Sequence, residues 1–106
     1  MSSSNNAVPR RIAAPETLGL DTRHEFRRAA IDLLDTLPEG RGRLVIDLGP
    51  TAHVDSAGLG ALMLIQRHAA ERRQIVALEG ASDELRFLLT LTKLDDLFEV
   101  SGTKPA

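Results

Sequence analysis

The chain has 106 residues, 42% of them hydrophobic, with a net charge of −2, three Phe and no Cys, Trp or Tyr. At this length folding buries about 60–70% of the extended chain's surface, enough for one aliphatic core in a single domain. The composition excludes disulfides and thiolate metal sites and offers no run near the roughly 18 apolar residues of a membrane span. Its interspersed charges argue against a nucleic-acid binder.

Residues 1–10 are polar and aperiodic and read as a disordered tail ahead of one domain over residues 11–106. The first residues hold neither the basic region nor the apolar run of a secretory signal, so with no Cys the expectation is a cytoplasmic protein. Residues 11–14 and 17–20 are the available opening strands. Pro15 separates them, and proline avoids strand interiors, so an opening hairpin is expected to be short or peripheral.

From Asp21 the pattern turns helical. Asp21 or Thr22 can cap, Glu25 falls in the first turn, and Phe26, Ala30, Leu33, Leu34 and Leu37 recur at helical spacing. Pro38, Gly40 and Gly42 end that helix. Residues 44–48 form a nearly continuous apolar run, which predicts a strand covered on both faces, and Gly49 and Pro50 break it.

A second helix carries Leu59, Leu62, Met63, Leu64, Ile65, Ala69 and Ala70, apolar on more than one face and therefore expected to be central. Residues 75–78 read as another buried strand. Ser82 then caps a third helix with Asp83 and Glu84 in its first turn and Leu85, Leu88 and Leu89 as its apolar stripe. Strands alternating with helices imply crossover connections, parallel pairing and an α/β layer architecture. No internal repeat is visible.

The junction before the second helix holds the chemistry. Ser56 stands where the first backbone N–H groups lack intrahelical partners and the helix dipole is positive, a place that holds an anion well. On spacing alone Ser56 reads as a helix N-cap, since capping serines are common and phosphorylated ones are not. Gly58 and Gly60 allow close backbone approach, either for helix–sheet clearance or for a partner. A phosphate-cradling loop is a weak reading, since no Gly-Lys-Ser/Thr follows. A serine hydrolase elbow needs Gly two residues before the Ser, and position 54 is Val. His24 and His68 read as solvated, and His53 as lining the loop beside Ser56.

Residues 55–60, Asp-Ser-Ala-Gly-Leu-Gly after a strand, resemble the signature of the STAS domain, the family of bacterial anti-sigma factor antagonists. Residues 44–48 are similar to the family's central strand, residues 74–80 to its next strand and turn, and residues 82–98 to its late helix and last strand. Gly19-Leu20-Asp21 resembles the end of its second strand. The chain departs from the family in its sparse opening strands, in Arg72-Arg73 where a Gly-Gly turn is common, and in lacking a clear terminal helix after Val100.

The resemblance implies a four- or five-stranded mixed, largely parallel sheet with helices packed mainly on one face. It implies phosphorylation at Ser56 and a partner-binding surface of Asp21, His53, Asp55, Ser56, Ala57, Gly58, Leu59 and Gly60. The implied partner is an anti-sigma factor with serine kinase activity. It would be bound while Ser56 is unmodified and released on phosphorylation. ATP would belong to that partner; the domain itself is expected to be no enzyme and to hold no cofactor or metal. The alternative within the family is a non-switching scaffold subunit, stressosome-like or beside a lipid-transporting ABC ATPase.

Overall fold

The computed structural model describes residues 8–101. Branched residues place a strand at the centre, β3 (Gly42–Asp47), with β1 (Val8–Ala13) on one side and β5 (Ile75–Glu79) on the other. A short β6 (Glu99–Ser101) closes the far edge, and every pair is parallel. β2 (Thr17–Leu18) and β4 (His53–Val54) form a separate two-stranded parallel sheet. The helices are α1 (Arg23–Thr36), α2 (Ser56–Glu71) and α3 (Asp83–Leu91), and a 3-10 turn, Leu94–Leu97, precedes β6. This is the α/β architecture expected from the sequence, with a four-stranded main sheet.

Strand side chains alternate between faces, so one face of the sheet is even-numbered and the other odd-numbered. The even residues Leu44, Ile46, Val76 and Leu78 belong to the core, together with Phe26, Ala30 and Leu34 of α1, Leu62, Ile65 and Ala69 of α2, and Leu85 and Leu89 of α3. All three helices therefore contribute to a core on one face of the sheet. Val45 on the odd face is buried as well, so this strand is covered on both faces, as expected, although the helices pack on only one.

On the odd face charged side chains pair across the strands. Arg11 Nη1 reaches Glu79 Oε1 at 2.9 Å, crossing β3, and Arg43 Nη2 reaches Glu99 Oε1 at 2.6 Å, crossing β5. On the same face Val45 and Ala77 are buried but stand outside the core cluster that the helices join.

Other expectations shift by local physics. Val8, Pro9 and Arg10 belong to β1 rather than to a tail, because β3 offers a parallel ladder from Val8↔Gly42 to Ala13↔Asp47 and the edge tolerates Pro9. Residues 1–7 lie outside the described residues. The two opening strands form no hairpin; they enter different sheets. Thr22, not Asp21, precedes α1, and its hydroxyl donates to the Thr17 carbonyl at 2.8 Å rather than capping. Ser82 does cap α3, accepting the Leu85 N–H at 3.1 Å. Met63 and Leu64 of α2 are 45% and 43% exposed, so this helix is not buried all round. Arg73, in the Arg72-Arg73 pair after α2, adopts the left-handed conformation, with φ of 54°.

Candidate functional site

The site is built on the first turn of α2. Asp55 leaves β4 in an extended conformation, with ψ of −175°, which aims its carboxylate at the N–H groups that α2 leaves unpaired. Its Oδ1 accepts the Gly58 N–H at 2.9 Å, and its Oδ2 accepts the Leu20 N–H at 3.3 Å. Asp55 is thus both the helix cap and a tie to the turn between β2 and α1. The Gly58 N–H is the main reason its carboxyl is held below the usual carboxylate range. The Leu20 and Ala57 N–H groups and the Arg23 guanidinium act in the same direction, against some desolvation.

Because Asp55 takes the cap, Ser56 does not. It is the first helical residue and is exposed. Among the described residues its hydroxyl has no hydrogen-bond partner. The N-cap reading of Ser56 is corrected accordingly: its side chain points away from the fold's own needs. An anion on that hydroxyl would sit at the positive end of a helix of 16 residues.

Gly58 is buried, and a Cβ there would collide with the Leu18 carbonyl oxygen. Its place is close packing of α2 against β2, which leaves it no surface for a partner. Gly60 is different: a Cβ at that position would meet nothing within 4 Å. Leu59 is half-buried against the core.

The remaining residues singled out from the sequence divide between two clefts. Ser56, Ala57 and Gly60 line a groove of about 370 Å³ between α1 and α2, completed by Arg23, His24, Arg27, Ala61, Met63, Leu64 and Arg67. His53 and Asp55 line a smaller cleft of about 220 Å³ against α3, with Thr51, Ser82, Glu84 and Leu85. Asp21 is exposed in the turn before α1 and lines neither. The sequence reading missed the groove's basic wall. Its signal was Arg23 and Arg27 at i, i+4 on α1, facing Gly60, Met63, Leu64 and Arg67 at helical spacing on α2.

Among the described residues no three or more His, Cys, Asp and Glu side chains come together as metal ligands. Among the described residues no helix is long and apolar enough to cross a membrane. His68 Nε2 lies 2.7 Å from Asp35 Oδ1, pinning the C-terminal half of α2 to α1.

The chain is similar to proteins of one family and fold. Residues 4–99 match the family profile of the Mlab, STAS domain. A STAS-domain containing protein of Pseudomonas aeruginosa (strain UCBPP-PA14) is 34% identical over 78 residues, 74% of this chain and 74% of that protein. A candidate anti-sigma factor antagonist from Thermotoga maritima superposes with a TM-score of 0.73 at 22% identity, covering 88% of this chain and 80% of that one. The murine Slc26a9 anion transporter holds a similar fold within 17% of its chain, with a TM-score of 0.75 at 13% identity over 92% of this one. At such identities the structural likenesses speak to fold alone.

Proposed function

Because the chain belongs to the STAS domain family, we propose that it is an anti-sigma factor antagonist that docks a protein partner over the N-terminus of α2 and is released by phosphorylation of Ser56. The partner is an anti-sigma factor with serine kinase activity, and ATP is bound by that partner. One observation carries this reading: Ser56 is exposed and uncommitted at a helix N-terminus whose cap is supplied by its neighbour Asp55. Phosphorylation there adds nearly two negative charges without removing a capping bond, and the helix dipole accommodates them. The fold is retained while the docking surface changes, which is the behaviour of a binding switch.

A second reading, favoured by the match to the Mlab, STAS domain profile, is a non-switching subunit beside a lipid-transporting ABC ATPase. Incubation of the protein with candidate kinase-type anti-sigma factors and ATP, followed by mapping of the phosphate, separates the two. Label at Ser56, absent from Ser56→Ala and accompanied by loss of the complex, supports the switch. Label at Thr51 or Ser82 with Ser56 unmodified, or no loss of binding by Ser56→Asp, favours the constitutive subunit. Ser56→Ala itself should unfold within about 0.5 kcal/mol of the wild type, as a surface change that removes no cap.

A further inference from the structure

The groove between α1 and α2 has a composition at odds with the acidic chain around it. Arg23, His24, Arg27 and Arg67 line it, no carboxylate does, and its apolar part is Ala57, Ala61, Met63 and Leu64. Arg27 and Arg67 have no ion pair among the described residues, whereas Arg11, Arg43 and Arg72 are all paired. Arg23 Nε is buried without a hydrogen-bond partner. The two helices lie side by side and are tied at one end through Asp35 with His68 and Arg72.

Residues 56–67 of α2 thus flank a trough about 16 Å long, the length of three helical turns. Half-exposed Met63 is an unbranched, adaptable contact suited to a partner's aliphatic stripe. We infer that this groove receives an acidic amphipathic helix of the partner protein, its apolar stripe on Met63 and Leu64 and its carboxylates on Arg23, Arg27 and Arg67.

This deepens the proposed function and rests on its reading of the α2 N-terminus as a docking surface. Ser56 lines the same groove, so a phosphate on it competes with the partner's carboxylates for the same guanidinium groups. Charge complementarity of this kind sets specificity and encounter rate, while the apolar contacts resist dissociation.

The test titrates a fluorescent, stapled helical peptide of about 14 residues, Leu along one stripe and Glu on both flanks, into the full chain. Versions with Gln or Lys flanks are the controls. The Glu peptide should bind at least ~10-fold tighter than the Gln peptide and lose that advantage as salt rises from about 0.05 M to about 0.5 M. Amide shifts should map to residues 23–27 and 56–67. Arg27→Glu and Arg67→Glu should each weaken the Glu peptide about 10-fold, with circular dichroism unchanged. Equal affinity for all three peptides, no saturable binding, or shifts on other faces would overturn the inference. Peptide binding with no kinase labelling Ser56 defeats the phosphorylation switch and keeps the groove, and the converse result keeps the switch and defeats the groove.

Discussion

At the scale of single residues, two glycines two positions apart respond oppositely to the same change. Gly58→Ala forces a Cβ into the Leu18 carbonyl, so α2 must shift off β2; a loss of about 2 kcal/mol or more is expected in urea unfolding. Gly60→Ala meets open space in a helix interior and should gain about 0.5–1 kcal/mol, because alanine orders at lower entropic cost than glycine. Asp55 acts through charge. Its folded-state carboxyl titrates below its unfolded value, so the carboxylate stabilises the fold above the ordinary range near about 4 and this contribution is lost as pH falls through the lower folded value. Asp55→Ala should therefore melt below the wild type at neutral pH, and the gap should close on acidification. A gap that is constant from neutral to acidic pH would show that the side chain works through packing rather than charge.

At the scale of elements, α1 ends without a basic residue in its last turn; the Leu37 N–H caps the Leu34 carbonyl locally, and a side chain from elsewhere in the chain adds to it. Gln74, at the entry to β5, is buried, and its Nε2 donates to the carbonyls of Leu34 and Leu37 at 2.9 and 3.1 Å. This side chain holds the helix end to the sheet. Gln74→Leu removes these donor bonds, while the Leu34 carbonyl keeps the Leu37 N–H at 3.0 Å and the Leu37 carbonyl keeps Arg72 Nη2 at 3.4 Å, so it should cost about 0.5–1.5 kcal/mol, read as a lower denaturation midpoint at unchanged m-value. The ion pairs on the odd face of the sheet are partly solvated. Replacing Glu99 by Gln should change stability by no more than about 1 kcal/mol, and less at high salt.

At the scale of the whole molecule, the parallel sheet makes every strand pairing long-range, because each partner is reached through a crossover. Edge strands therefore differ in weight according to their ladders. β1 runs six residues along β3 and brings Ile12 against the core, whereas β6 meets β5 over three residues. Removing residues 1–13 should abolish the cooperative thermal transition or lower its midpoint by about 10 °C or more, given that 1 kcal/mol moves a domain of this size by about 4–8 °C. Removing residues 99–106 should cost clearly less. Equal losses would mean that the sheet is not held from its β1 side.

The three helices and the strands at 42–47 and 75–79 were legible in the sequence because their causes are local, whereas the short β4 was not read and β6 follows the 82–98 segment instead of lying within it. Helical spacing from Phe26 to Leu37, the apolar run at 44–48 and the Ser82 cap each act over a few residues. The motif at 55–60 also located the start of α2 and the position of Ser56. What it did not contain was the division of labour there. Whether Asp55 or Ser56 caps depends on the backbone direction that β4 takes as it pairs with β2, a contact between residues more than thirty apart. The strand character of Val8, Pro9 and Arg10 likewise comes from β3 supplying a ladder to a polar edge. The basic groove required Arg23 and Arg27 of one helix to meet Arg67 of another, and only packing on a common sheet face brings them together. Periodicity and capping are properties of a segment, whereas pairing, burial and the meeting of charges belong to the folded chain.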